Sequence, residues 1–216
     1  MPQLLGLLML DTRFPRLPGD VGHLASWRVP VLAAVVQGAT PQRVVCDGDR
    51  ALLQPFVDAA RALVAQGATA ITTSCGFLVR WQAELRAALP VPVWTSALLK
   101  LPELERPGVI TVDAASLGAP ELRAAGASPE TPVEGLTPGG LLQRTLLEDR
   151  PAIDAAAAEA DLLAAARRLL QREPALTSLV LECTNLPPYA AALARATGLP
   201  VHHLMTLVHE RLAHPR

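Results

Sequence analysis

Apolar residues occur along this chain in two alternating patterns, short continuous runs and longer segments with helical spacing. The continuous runs are typical of strands covered on both faces of a parallel sheet. They lie at residues 4–10, 31–36, 70–74, 91–94, 108–112, 178–182 and 200–203. The segments with apolar positions three and four residues apart predict helices between these strands. They lie at residues 49–66, 77–89, 116–125, 141–147, 153–171, 186–197 and 205–213. Residues 131–140, rich in proline and glycine, predict a loop.

This alternation of strands and helices predicts an α/β protein with mainly parallel sheets. The chain also repeats itself, because a shift of 108 residues places Cys75 on Cys183 and Pro92 on Pro200 without a gap. Both copies read as an apolar strand, a cysteine, a helix and a Pro-Val strand. A repeat of this length predicts two related α/β lobes rather than a solenoid. We assign residues 1–94 with 204–216 to the first lobe and residues 95–203 to the second.

Composition and charge narrow the possible partners. Hydrophobic residues make up 50% of the chain and aromatic residues 3%, which predicts a core of Leu, Val and Ala. The net charge is −1 and no basic block is visible, so we expect no nucleic-acid partner. No apolar run approaches the roughly 20 residues that cross a bilayer, so we expect no membrane partner. The first residues lack the features of a secretory signal, and we expect a cytoplasmic protein.

Three cysteines do not form a disulfide scaffold, and reduced thiols fit a cytoplasmic protein. Neither a CxxC nor an HExxH pattern occurs, so we expect no metal site. Cys46 is expected to be a small buried apolar residue. Cys75 and Cys183 are different, because each stands where a strand gives way to a helix.

The amide N–H groups at such a helix start favour a bound carboxylate and lower the pKa of a neighbouring thiol. Two such thiols on opposite sides of one substrate carbon form a two-base system. One thiolate removes the proton next to a carboxyl group, and the opposite thiol returns a proton to the other face. The sequence therefore predicts Cys75 and Cys183 as a catalytic acid/base pair.

Residues beside the two cysteines are candidates for binding the substrate's carboxylate. They are Thr73, Ser74, Gly76, Phe77, Thr184 and Asn185. Thr184 or Asn185 alternatively caps a helix, and Gly76 alternatively meets a backbone requirement. Glu182 is interpreted as structural, because alternation along the strand turns it away from its neighbours.

The loop after the first strand supplies further candidates. Asp11, Arg13 and Arg16 follow the carboxyl end of that strand, where ligands bind in open α/β sheets. Arg13 or Arg16 is placed to pair with a second carboxylate, and the alternative is a solvated connection. His202, which follows a strand of the second lobe, is a candidate to contact Cys183 or the substrate, or else an ordinary core or surface residue.

These motifs resemble the aspartate/glutamate racemase superfamily. The resemblance rests on Ser74-Cys75-Gly76, on Glu182-Cys183-Thr184-Asn185 and on the opening segment at residues 10–20, and it covers essentially the whole chain. It implies two Rossmann-like lobes related by a pseudo-two-fold axis, with a cofactor-independent site in the cleft between them. It also implies that Cys75 and Cys183 are the acid/base pair and that their neighbours hold carboxylates.

The resemblance is not uniform within the superfamily. The Cys75-Gly76 pair looks closer to hydantoin racemases, and Cys183-Thr184-Asn185 looks closer to maleate isomerases, in which a cysteine is a nucleophile. Arylmalonate decarboxylases, with one catalytic cysteine, fit less well. We expect a racemase or epimerase of a small carboxylate substrate such as aspartate or glutamate, with a homodimer as a candidate assembly. The alternatives are a hydantoin racemase, an isomerase or decarboxylase with a nucleophilic cysteine, a dicarboxylate sensor and a redox dithiol.

Overall fold

Two four-stranded parallel sheets organise the chain. The structure, a computed structural model, describes residues 3–214. The first sheet contains β1 (Leu5–Leu10), β2 (Val31–Val36), β3 (Ala70–Thr73) and β4 (Val93–Trp94), in the order β2-β1-β3-β4. The second contains β5 (Pro107–Thr111), β6 (Val133–Gly135), β7 (Ser178–Leu181) and β8 (Val201–His203), in the order β6-β5-β7-β8. The two orders correspond strand for strand, which confirms the predicted α/β fold with two pseudo-symmetric lobes.

Within residues 3–214, seven α-helices flank the sheets. They are α1 (Leu53–Ala65), α2 (Gln82–Ala88), α3 (Ala119–Ala124), α4 (Leu141–Leu147), α5 (Ala155–Arg172), α6 (Ala190–Thr197) and α7 (Leu204–Ala213). A 3₁₀ segment precedes α2 at Gly76–Trp81, and another precedes α6 at Pro187–Tyr189. In the second segment the Tyr189 amide donates to the Leu186 carbonyl oxygen, a bond between residues three apart. The predicted helices at 77–89 and 186–197 are therefore confirmed in place, but their first turns are 3₁₀.

The repeat of 108 residues is visible in the elements themselves. β7 follows β3 by that shift, and α6 begins that far after α2. Cys75 and Cys183 each come two residues after their strand, β3 and β7 respectively. The repeat therefore places the two thiols at equivalent positions in the two lobes.

Two sequence-based expectations are wrong. The predicted loop at residues 131–140 contains β6, because Val133–Gly135 pairs with β5 and this tertiary pairing outweighs the flanking prolines and glycines. Cys46 is exposed rather than buried. It ends a π-helical turn at Gln42–Cys46, in which Val44 and Val45 occupy the core positions instead.

The two lobes contact each other close to the cysteine motifs. The Thr184 hydroxyl donates to the Ser74 carbonyl oxygen at 2.5 Å, and the Val21 amide donates to the Thr184 carbonyl oxygen at 3.2 Å. These hydrogen bonds join the segment after β7 to the segment after β3 and to the loop after β1. They hold the two thiol-bearing segments next to each other.

Helix α7 contacts both halves of the chain. It packs on β8 and on the 3₁₀ segment Ala97–Glu103, and its Leu212 carbonyl oxygen accepts a hydrogen bond from Gln3 at 2.6 Å. The assignment of residues 204–216 to the first lobe stays a prediction, and residues 1–2 and 215–216 of that lobe lie outside the described residues. Among the helices of residues 3–214, none has the length and apolar character to cross a bilayer.

Candidate active site

Both thiols face one small cavity between the lobes. Cys75 and Cys183 are each 6% exposed, and both line a cavity of about 30 Å³. Apolar side chains form most of the remaining wall, among them Leu10, Phe14, Val45, Val112 and Leu146. The cavity therefore combines two sulfur atoms with an apolar lining, and its volume in this structure is enough for about two water molecules.

The same backbone group faces each sulfur atom. The Phe77 amide lies beside the Cys75 thiol and the Asn185 amide beside the Cys183 thiol, and each lowers the pKa of its thiol. These donors are equivalent under the 108-residue repeat. Each lies two residues after its cysteine, in the turn that follows the strand, and each favours an anion at that position.

The expectation that both thiol pKa values are lowered is wrong. Burial raises the pKa of the Cys75 thiol to about 12, and the nearby Glu182 carboxyl group adds to this effect. Burial likewise raises the pKa of Cys183, again with a contribution from Glu182. Desolvation in an apolar cavity opposes the charged form more strongly than one amide donor favours it. At neutral pH both thiols are therefore protonated in this structure.

The charged surroundings of the two thiols differ. The Arg80 and Arg16 guanidinium groups act on Cys75, and both lower its pKa. Cys183, in contrast, is surrounded by negative charges. Those of Glu182, Cys75 and Asp20 all raise its pKa. The surrounding positive charges therefore favour the ionised form of Cys75, whereas the negative charges around Cys183 favour its protonated form.

A chain of polar contacts holds Cys183 from the loop after β1. The Cys183 thiol contacts Asn185 Oδ1 at 3.6 Å, and Asn185 Nδ2 donates to Asp20 Oδ2 at 2.7 Å. Asp20 Oδ1 in turn pairs with Arg16 Nη1 at 3.3 Å. The Arg16 guanidinium also lies 4.6 Å from the centre of the Phe14 ring. Arg16, a sequence candidate for carboxylate binding, is thus engaged in positioning the Cys183 side of the site.

We expect Asp20→Asn to lower the free energy of unfolding by about 3 kcal/mol, because it leaves the buried Arg16 charge without its partner. The Arg16 and Asp20 side chains are only 12% and 4% exposed. Urea denaturation measures the change. The matched control is Asp49→Asn, in the more exposed pair of Asp49 with Arg43, where the loss should stay below about 1 kcal/mol. Equal losses in the two variants would contradict a special role for the Asp20 pair.

The structure brings five of the eight predicted substrate-binding residues to the cavity wall. They are Ser74, Gly76, Phe77, Thr184 and Asn185. The Thr184 hydroxyl is committed to the Ser74 carbonyl oxygen, as described above. The Ser74 hydroxyl oxygen accepts a hydrogen bond from the Leu10 amide at 3.0 Å, which leaves its own hydrogen for a ligand.

The other three candidates lie outside the wall formed by the described residues. Asp11 accepts a hydrogen bond from the Gly38 amide at 2.9 Å, which fixes a loop. Arg13 is 74% exposed and pairs with Asp149 at 3.1 Å. The Thr73 hydroxyl contacts the carbonyl oxygens of Cys75 and Thr95 at 2.9 and 2.7 Å, which fixes the backbone at the end of β3. Each of these three side chains therefore makes a structural contact with another part of the protein instead of facing the cavity.

His202 also lies away from the cavity wall. It is half-buried on β8, and burial, followed by the Lys100 charge, lowers its pKa. This favours the neutral imidazole, while the Glu210 charge acts in the opposite direction. The candidate contact of His202 with Cys183 is not among the hydrogen bonds of the described residues.

The sequence interpretation missed Glu182 as a residue of the site. Its side chain is fully buried and it contributes to the cavity wall. Its Oε2 atom accepts a hydrogen bond from the Thr111 hydroxyl at 2.6 Å, and burial raises the pKa of the carboxyl group to about 7. The signal in the sequence was an acidic residue closing an otherwise apolar strand, since such residues are rarely fully buried without a reason.

Searches with this chain find relatives by sequence, although no protein-family profile matches it. Dimethylsulfoniopropionate lyase 6 of Emiliania huxleyi is 30% identical over 228 residues, which cover 97% of this chain and 59% of that protein. A dimethylsulfoniopropionate lyase of Durusdinium sp. clade D is 28% identical over 221 residues, which cover 92% of this chain and 70% of that protein. The chain spans 59% to 66% of the length of the first three Emiliania relatives.

Solved structures with a similar fold are enzymes of several activities. Allantoin racemase from Klebsiella pneumoniae has a TM-score of 0.73 at 15% identity, over 98% of this chain and 88% of that one. Arylmalonate decarboxylase has a TM-score of 0.64 at 20% identity, over 98% and 93%. A glutamate racemase from Bacillus anthracis has a TM-score of 0.59 at 15% identity, over 98% and 82%. The chain has the fold of the aspartate/glutamate racemase superfamily, which confirms the fold that its cysteine motifs imply.

Proposed function

We propose that this protein is a cofactor-independent enzyme that removes a proton from the carbon next to a carboxylate, with Cys75 as the base. The observation that carries the proposal is the cavity itself. Two thiols at equivalent positions of two lobes face one small apolar space, and the amides of Phe77 and Asn185 point at them. Cys75 is the base because the two arginine charges favour its ionised form. Cys183 acts as the protonated partner.

The substrate class we propose is a carboxylate with a sulfonium group on its β-carbon, represented by dimethylsulfoniopropionate. This follows the sequence relatives, which are dimethylsulfoniopropionate lyases aligned over nearly the whole chain. The apolar wall suits the two methyl groups of the sulfonium. The Ser74 hydroxyl and the amides beside the thiols are suitable donors for the carboxylate.

The reaction on this substrate is an elimination. The Cys75 thiolate takes a proton from the α-carbon, and the electron pair of that C–H bond becomes the double bond between the α- and β-carbons. The pair of the β-carbon–sulfur bond leaves with sulfur as dimethyl sulfide. The products are dimethyl sulfide, acrylate and the proton held by Cys75, which solvent then accepts. The Cys183 thiol donates a hydrogen bond to the charge that develops on the substrate.

The test is incubation with dimethylsulfoniopropionate, with dimethyl sulfide measured in the headspace and acrylate by NMR. We expect the two products in equal amounts, with deuterium in unreacted substrate if the reaction is run in D₂O and proton removal is reversible. The same incubation without protein is the control for background elimination, which proceeds in alkaline solution without enzyme. Product formation equal to that control would reject the lyase proposal.

Racemisation is a second candidate, because the two thiols belong to opposite lobes and can meet one carbon from its two faces. In this reaction Cys75 removes the α-proton and Cys183 returns one to the other face. The same D₂O experiment is run with single enantiomers of aspartate, glutamate and allantoin. Inversion with deuterium uptake, in the absence of dimethyl sulfide release, would favour this candidate over the lyase.

A further inference from the structure

The Glu182 carboxyl group is enclosed between the two cysteine motifs. It belongs to the residue before Cys183, and it packs against Gly76, the residue after Cys75. A Cβ atom built on Gly76 would lie 2.4 Å from Glu182 Oε1 and 2.3 Å from the Glu182 carbonyl oxygen. The absence of a side chain at Gly76 is what lets the carboxyl group come this close. Glu182, in the second lobe, thus packs against the segment of the first lobe that carries Cys75.

Only one of its two oxygens has a partner. Oε2 accepts the hydrogen bond from Thr111 on β5, whereas Oε1 is buried and has no hydrogen-bond partner among the described residues. An ionised carboxylate without full compensation is costly to bury. A protonated carboxyl group costs much less to bury, because it carries no charge. Its proton also allows Oε1 to donate a hydrogen bond.

The charged and titratable groups around Glu182 come from four elements. Arg80, in the 3₁₀ segment after Cys75, is the cation that acts on it, but Arg80 already pairs with Glu121 of α3 at 3.2 Å. The remaining neighbours are the Thr111 hydroxyl and the two thiols, on which Glu182 itself acts. Among residues 3–214, Arg80 is thus the cation that lowers the pKa of Glu182, and it is shared with a second acid, Glu121.

We propose that Glu182 is a positioning residue that holds a proton between the two thiol segments and, through its own charge, controls how readily Cys75 and Cys183 ionise. The proposal rests on the function proposed above, because it concerns the same two thiols. When Glu182 is protonated, its carboxyl group carries no charge and does not repel a thiolate at Cys75. When Glu182 is ionised, the thiolate has to form beside a buried anion, and its formation requires a higher pH. The raised pKa of Glu182, about 7, puts this change near neutral pH.

Glu182→Gln tests the proposal, since it keeps the size and the contact with Thr111 and removes the charge. Thiolate formation is followed by its ultraviolet absorbance from about pH 8 to about pH 12, a range that reaches the midpoint of Cys75, in a Cys46→Ser background so that only the buried thiols contribute. We expect the titration midpoint to fall by about one pH unit, which is about tenfold more thiolate at a given pH below the midpoint. Glu84→Gln, which removes an exposed acid paired with Arg50, is the control and should leave the midpoint unchanged.

An unchanged midpoint in a folded Glu182→Gln protein would overturn the proposal. Glu182→Ala provides a second route if Glu182→Gln does not fold. It removes the same negative charge and leaves no buried amide without a partner, so the thiol midpoint should again move down. No movement in Glu182→Ala would count equally against the proposal. Because the titration needs no substrate, its outcome is independent of whether dimethylsulfoniopropionate is turned over.

Discussion

Replacing Cys75 with alanine is expected to lower kcat/KM by at least about 10³-fold, whichever of the two candidate reactions the enzyme performs. A positioned general base contributes about 10²- to 10⁴-fold, and Cys75 is the thiol whose ionised form the surrounding charges favour. No other side chain of the described cavity wall can replace it as a base at the same position. The measurement is steady-state kinetics with dimethylsulfoniopropionate and with the single enantiomers.

The Cys183→Ala variant separates the two reactions. Racemisation needs a proton donor on the second face, so this variant should lose about as much activity as Cys75→Ala. Elimination needs only one base, and the loss of one hydrogen bond to the developing charge should lower kcat/KM by about tenfold. Cys46→Ala, at an exposed thiol outside the cavity, is the matched control and should keep full activity. If both buried-cysteine variants kept wild-type activity, the acid/base assignment would fail.

The fold and the cysteines could be predicted because both follow local patterns. Apolar runs and helical spacing identify the strands and helices, and the repeat relates Cys75 to Cys183 without any knowledge of tertiary contacts. The positions of β3 and β7 then place both thiols at the carboxyl ends of parallel strands. The predictions failed where the outcome depends on distant residues, as for β6, whose pairing with β5 is a tertiary contact.

The electrostatics of the site could not be predicted for the same reason. The sequence shows the helix starts beside the thiols but not the depth of burial, and burial reverses the direction of both thiol pKa shifts. The sequence made Arg13 a candidate to bind a substrate carboxylate. In the structure it pairs with Asp149, which is far away in the sequence. Arg16 likewise pairs with Asp20. A charged residue in a loop has many possible partners, and only the fold selects one.

The relation between Gly76 and Glu182 is the least visible in the sequence. More than a hundred positions separate the two residues, so nothing in the sequence indicates that they meet. In the structure they are packed against each other, so the glycine in the first motif is explained by the acid in the second. The Cys-Gly and Glu-Cys pairs are therefore two halves of one arrangement around the thiols.

Adding a single methyl group at Gly76 is accordingly expected to destabilise the protein by about 3 kcal/mol, at the upper end for overpacking. The new Cβ atom in Gly76→Ala would lie 2.3 Å from the Glu182 carbonyl oxygen, and backbone cannot rotate away as a flexible side chain can. Chemical denaturation measures the loss. Gly118→Ala, where the nearest atom would be 3.4 Å from the new Cβ, is the control and should lose no more than about 1 kcal/mol.

The same clash predicts a catalytic effect that stability alone does not explain. To admit the methyl group, the Cys75-Gly76 segment has to move away from the Glu182-Cys183 segment, which separates the two thiols. We expect Gly76→Ala to lower kcat/KM by about 10²-fold under conditions where it is fully folded, since small misplacements of reacting groups have effects of this size. Truncating the acid in Gly76→Ala/Glu182→Ala relieves only the contact with Oε1, because the carbonyl oxygen stays in place. Recovery of the double variant to the activity of Glu182→Ala alone would therefore show that the carboxyl group, and not the Glu182 backbone, sets the separation of the thiols.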